Sequence, residues 1–194
     1  MSMKNISSKI NQILSIEDSY QAPDRIMDIL LNDENERNAV FGKMADLFRY
    51  DYSKDWFFEY FQEEHADRHI NKQDFTPPCI SSIVSMVIKD RLSADVTYEP
   101  SAGTGQMIIK DWEITRRKQM PWEYQPIEHI YVCSELSVKT IPFLLFNLSI
   151  RGICAVVFHM DTLMNNIFDV YILTNKFNDH LRYSDVTKLV ELDS

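Results

Sequence analysis

Val96-Thr97-Tyr98-Glu99-Pro100-Ser101-Ala102-Gly103-Thr104-Gly105-Gln106 is the stretch on which the fold turns. Val96 to Glu99 reads as a short strand, and a helical pattern follows over Gln106 to Arg117. The chain holds only four glycines (Gly42, Gly103, Gly105 and Gly152), and two of them lie in the loop between that strand and that helix. Small residues let a backbone turn sharply and approach a ligand, and glycine tolerates a positive φ at which other residues clash. Working outward, His129 to Cys133 reads as a second strand, followed by a helix over Val138 to Ile150 that closes at Gly152. Ile153 to Phe158 is a third strand, Phe168 to Thr174 a fourth, and Asp185 to Leu192 adds one more strand or helix. This alternation predicts an α/β fold with a parallel sheet and helices on its faces. The glycine loop then opens at the carboxyl edge of the sheet, where open α/β folds bind ligands.

Residues 1–70 have a different character and predict a helical N-terminal region, with the α/β domain over 71–194. Ile6, Ile10, Ile13 and Leu14 repeat at helical spacing, and Pro23 opens a second helix through Ile26, Ile29 and Leu30. A third helix fits Glu34 to Tyr50, with Val40, Met44, Leu47 and Phe48 on one face. A fourth fits Ser53 to about His65, with Ser53 as N-cap and an aromatic stripe of Trp56, Phe57, Tyr60 and Phe61 that reads as packing core. Thr76-Pro77-Pro78 starts a further helix through Ile80, Ile83, Val84 and Val87.

The composition is that of an ordinary globular chain, 45% hydrophobic and 25% charged, with no apolar signal-peptide core in Met1 to Gln12. The most apolar region, Ile141 to Phe158, is interrupted by Asn147 and Arg151, too broken to span a bilayer. Cys79, Cys133 and Cys154 are odd in number, sit in apolar surroundings and lack zinc-ligand spacing, which predicts reduced core thiols in a cytoplasmic protein. His65 and His69 stand four apart on a helix, but Ala66 occupies the place of the zincin glutamate, so no metal site is expected. The net charge is −9, and residues 1–70 hold 8 Lys and Arg against 14 Asp and Glu. DNA-binding proteins usually carry a basic footprint, because phosphate neutralisation supplies much of their affinity. Here the one local basic cluster is Arg116, Arg117 and Lys118, so DNA would be gripped through a partner.

Glu99-Pro100-Ser101-Ala102-Gly103-Thr104-Gly105 resembles the first motif of amino-methyltransferases, a D/E-P-x-x-G-x-G loop that cradles the methionine part of S-adenosylmethionine. Gln106-Met107 follows where a phosphate-binding P-loop has Lys and Ser or Thr, which argues against a nucleoside triphosphate. Upstream, Gln73-Asp74-Phe75-Thr76-Pro77-Pro78 resembles the x-F-x-T-P-x segment that precedes the loop in N-6 adenine-specific DNA methyltransferases. The order of elements matches type I modification subunits and their single-chain relatives. The resemblance implies a Rossmann-like methyltransferase core that binds S-adenosylmethionine. Glu99, Ser101, Ala102, Gly103 and Gly105 would form the loop, with Phe75 and Thr76 closing over the methionine end. It further implies that Glu135 accepts the ribose hydroxyls and that Leu136 packs on the adenine ring. His159-Met160-Asp161-Thr162-Leu163 resembles the family's G-D-x-L, with Met160 in place of glycine. It implies that Asp161 accepts from the adenine amino group and Thr162 flanks the ring. Taken alone, Glu135 also reads as a helix cap and Asp161 as a loop-capping aspartate.

The family's fourth strand ends in N-P-P-Y or N-P-P-F, whose Asn and aromatic side chains hold and stack on the flipped base. Phe168-Asp169-Val170-Tyr171-Ile172-Leu173 is followed here by Thr174-Asn175-Lys176-Phe177. Asn175 and Phe177 stand in for the catalytic pair, but both prolines are missing and the spacing is one residue short. The 17 residues after Phe177 leave no room for a fifth strand, closing hairpin and target-recognition region. Two expectations follow: a component of a restriction-modification or prophage system completed by a partner chain, or an inactive module that binds or mimics a modification subunit. A methyltransferase for some other acceptor is a third.

Overall fold

A computed structural model describes residues 3–64 and 96–189 of the chain. The N-terminal region forms α1 (Met3–Leu14), α2 (Ala22–Asn32), α3 (Glu34–Leu47) and α4 (Phe58–Glu64). Pro23 lies in the first turn of α2, where its missing N–H costs nothing. Asp33 caps α3 by accepting from the N–H groups of Asn35 and Glu36, at 2.8 and 3.0 Å. The fourth helix starts five residues later than its periodicity predicts. Ser53 N donates to Asp51 at 3.3 Å, Phe57 N donates to Asp55 at 3.0 Å, and Trp56 Nε1 donates to the Asp51 carbonyl at 2.7 Å. These local bonds hold Asp51 to Phe57 in turns and compete with the helix. The predicted helix from Thr76, the His65–His69 pair and Cys79 lie outside the described residues.

The α/β part runs β1 (Val96–Glu99), α5 (Gln106–Arg116), β2 (Ile130–Glu135), α6 (Ile141–Ser149), β3 (Ala155–Asp161), β4 (Asn166–Thr174) and β5 (Asp185–Leu189). The strands form one five-stranded sheet in the order β1-β2-β3-β4-β5. β1, β2 and β3 are parallel, as the alternating pattern predicts. The fourth strand departs from that expectation: β4 runs antiparallel to β3, and β5 antiparallel to β4. The physical reason is the length of the connection. A parallel return needs a crossover of a dozen or more residues, whereas Thr162 to Asn165 is a four-residue turn. Asp161 builds that turn by accepting from the N–H groups of Leu163 and Met164, both at 3.0 Å, and Asn165 completes it at φ 52°.

Register sorts the sheet into two faces. The inner face carries Tyr131, Cys133, Ala155, Val157, Tyr171, Leu173 and Val186, all buried beneath the helices. Tyr131 OH donates to Asp111 of α5 at 3.0 Å, which places α5 over that face. α6 is buried along its whole length. Its Phe146 meets Phe41 of α3 edge-on at 4.6 Å and Phe57 at 5.0 Å, and its Phe143 meets Phe61 at 5.4 Å. The aromatic stripe is therefore core, and one continuous core runs from Ile10 of α1 to Val186 of β5. The outer face carries Tyr98, Val132, Val156, Phe158, Val170, Ile172 and Leu189, which are only half-buried or exposed.

Candidate functional site at the carboxyl edge

The ends of β1 and β2 and the β3–β4 turn converge at one edge of the sheet. After β1 the backbone turns back on itself: Ala102 N donates to the Ser134 carbonyl at 2.9 Å, and Gly105 N to the Ala102 carbonyl at 2.9 Å. Gly103 and Gly105 have φ of 56° and 99°, a region that side chains rarely adopt. A Cβ at Gly105 would also lie 3.0 Å from Leu144 Cδ1 of α6, a tight contact that adds to the strain of the positive φ. Glu135, the last residue of β2, locks the loop: Oε2 accepts from Gly103 N at 2.9 Å and Oε1 from Ser137 N at 2.8 Å. Each carboxylate oxygen has two acceptor positions, so both keep one for a further donor. Glu99 accepts from Ser101 N at 3.3 Å, and burial raises its carboxyl pKa above the ordinary value against that bond. From the other side Thr162 donates toward the Pro100 carbonyl and Ser134 Oγ, both at 3.3 Å. Leu136 stands 58% exposed beside Glu135, and Leu163 97% exposed at the tip of the turn.

Glu99, Ser101, Ala102, Gly103, Gly105, Glu135, Leu136, Asp161 and Thr162 thus occupy one edge, and backbone turns and strand ends hold them there. Asp161 has the loop-capping contacts that its residue type alone suggests. Phe75 and Thr76 lie outside the described residues.

Asn175 and Phe177 are elsewhere. Because β4 is antiparallel, its carboxyl end lies beside the start of β3, with Leu173 opposite Ala155, at the far edge of the sheet. Asn175 is 3% exposed and its amide is spent on the chain itself. Nδ2 donates to the carbonyls of Gly152, Asp179 and Arg182 at 3.3, 2.9 and 3.1 Å, and Oδ1 accepts from Asp179 N at 3.1 Å. Phe177 is 72% exposed beneath the Arg182 guanidinium, and Lys176 pairs with Asp185 at 2.7 Å. The expected catalytic pair is therefore corrected: it is a turn-forming pair, separated from the glycine loop by the length of the strands.

A buried polar network beneath the loop has no counterpart in the sequence reading. Asp55, from the turns before α4, accepts a hydrogen bond from the Thr104 hydroxyl and another from Asn147 Nδ2 at 2.7 Å. Asn147 Nδ2 also donates to the Thr104 carbonyl at 2.8 Å. Arg151 donates to the Asn147 carbonyl at 2.6 Å, to its Oδ1 at 3.0 Å, to the Tyr52 carbonyl at 2.8 Å and to the Lys54 carbonyl. Burial raises the Asp55 pKa against these hydrogen bonds and lowers that of Arg151 to about 10 against the attraction of Asp55. The available signal was Asn147 and Arg151 themselves, two polar residues four apart in the most apolar segment of the chain.

The basic cluster is largely committed. Arg116 lies over the Trp112 ring at 4.4 Å, and Arg117 pairs with Glu113 at 2.7 Å. Burial raises the Cys133 thiol pKa far above its usual range, with Glu99 and Glu135 adding to the effect, so this thiol is inert. Among the described residues no group of three or more His, Cys, Asp or Glu is arranged to hold a metal ion, and no helix is long and apolar enough to cross a membrane. Comparison with family models, with curated proteins and with solved structures returns no significant match to this chain.

Proposed function

We propose that this chain binds S-adenosylmethionine at the carboxyl edge of its sheet, as the cofactor-binding part of an adenine-N6 DNA methyltransferase-like protein of the cytoplasm. The observation that carries the reading is the Glu135 carboxylate holding Gly103 N–H at 2.9 Å, with Leu136 exposed beside it. Such an acid can accept two vicinal hydroxyls while the neighbouring apolar side chain covers a purine. The acids at this edge, Glu99, Glu135 and Asp161, favour a ligand with cationic groups over a polyphosphate. Asn175 and Phe177 stand at the other edge, so groups that hold and stack the target base have to come from a partner chain, as does the grip on DNA.

The test is calorimetric titration with S-adenosylmethionine and S-adenosylhomocysteine, alongside Gly103→Asp, which places a side chain and a charge at a residue with φ 56°. Saturable binding by the parent chain that is lost in the variant is the expected result. A folded parent chain that takes up neither compound sinks the reading. The second reading, an interaction module that binds a modification or specificity subunit without transferring methyl groups, is favoured by the half-covered apolar outer face of the sheet. It predicts stable association with such a subunit and no label on DNA when the mixture is given radiolabelled cofactor.

A further inference from the structure

We infer that Asp55 is a positioning residue for the ligand loop, so that the N-terminal helical region is a working part of the carboxyl-edge site rather than a cap beside it. The inference rests on the reading of that edge as a ligand site, and concerns what sets its shape. Thr104 is the residue between the two loop glycines, and it is fully buried. Its backbone carbonyl accepts from Asn147 and its hydroxyl donates to Asp55, so carbonyl and hydroxyl are both anchored to elements outside the loop. Asp55 is anchored in turn by Phe57 N and by Asn147, and Asn147 by Arg151, which reaches back to the Tyr52 and Lys54 carbonyls on either side of Ser53. The network is a closed circuit: turns before α4, the loop, α6, and back to those turns.

This arrangement answers a problem that the loop poses. Gly103 and Gly105 are the two residues with the widest choice of backbone conformation, and a loop built on them loses most entropy when it is ordered around a ligand. Thr104, held from below on the buried Asp55 carboxyl, pins the segment between them before any ligand arrives. Hydrogen bonds in a low-dielectric interior are stronger than those in water, and holding a binding loop in its bound shape raises affinity by removing the ordering cost. The Gly103 N–H bond to Glu135 pins the same loop from above, so the loop is gripped on both sides.

Thr104→Val, close in shape and lacking only the hydroxyl, tests the inference against Thr104→Ser, which keeps it. Hydrogen exchange of the Ala102, Gly103 and Gly105 amides is followed without ligand, with α6 amides as the internal reference, and S-adenosylmethionine affinity is measured beside it. The expected result is loop exchange about tenfold faster or more in the valine variant relative to α6, a comparable loss of affinity, and near-parental behaviour of the serine variant. Equal slowing or quickening of loop and α6 amides, or a serine variant indistinguishable from valine, overturns it. Should Thr104→Val not fold, Asp55→Ala, which removes the acceptor, set against Asp55→Asn, which keeps a hydrogen-bonding partner for Thr104, gives the same comparison. A parent chain that binds no cofactor removes the ligand reading, while the exchange measurement still decides whether Asp55 holds the loop.

Discussion

At the scale of single residues, the two glycines with opposite surroundings show how context sets the sign of one substitution. Gly105 has φ 99° and stands 3.0 Å, measured from a would-be Cβ, from Leu144. Gly105→Ala should therefore cost about 1–3 kcal/mol in urea unfolding with little change in m. Gly42 lies inside α3, and a Cβ there meets nothing within 4 Å, so Gly42→Ala should stabilise by about 0.5–1 kcal/mol. Asn175 tests the corrected catalytic assignment. Removing its amide takes a donor from the buried Gly152 carbonyl and from the part-buried Asp179 and Arg182 carbonyls, so Asn175→Ala should cost about 1–3 kcal/mol and leave cofactor affinity unchanged. A selective loss of ligand binding with intact stability would return Asn175 to the site.

At the scale of elements, β5 is joined to the helical region by Asp185, which pairs with Arg37 of α3 at 2.5 Å and with Lys176 at 2.7 Å. Burial pushes its carboxyl pKa up, but the bonds from Lys176 and Arg37 outweigh burial and leave it below the ordinary value of 3.8. A depressed carboxyl holds its proton less well in the folded chain than in the unfolded one, so the unfolded state binds more protons in acid. The stability that Asp185 contributes is present above about pH 4 and is lost as pH falls through its folded pKa. Asp185→Asn should be less stable at neutral pH and show a flatter acid limb between about pH 2 and 5 in urea titrations. An unchanged limb would mean that the pairing does not persist in solution. Asp169, held low by Lys188 and His159 against burial, contributes a second acid-sensitive term, so the slope should shrink rather than vanish.

At the scale of the whole molecule, the continuous core from α1 to β5 predicts one cooperative thermal transition, and no independent folding of residues 71–194, whose Phe143 and Phe146 would lose Phe41, Phe57 and Phe61. Two separate calorimetric peaks would contradict it. Much of this was legible in the sequence. Helical periodicity marked α1, α2 and α3, apolar runs marked the first four strands and left the fifth open between strand and helix, and the glycine pair marked the β1–α5 turn, because each of these signals acts within a few residues of itself. The sequence by itself therefore determined α1 to α3, the first four strands, and the loop and acids at one edge. Tertiary structure decided where the chain reverses into β4, since Asp161 and Asn165 close a four-residue turn inside a nine-residue gap between apolar runs that was already too short for a parallel return. Tertiary structure alone also brought Asp55 under Thr104, 49 residues away, because a buried carboxylate finds its donors wherever packing puts them.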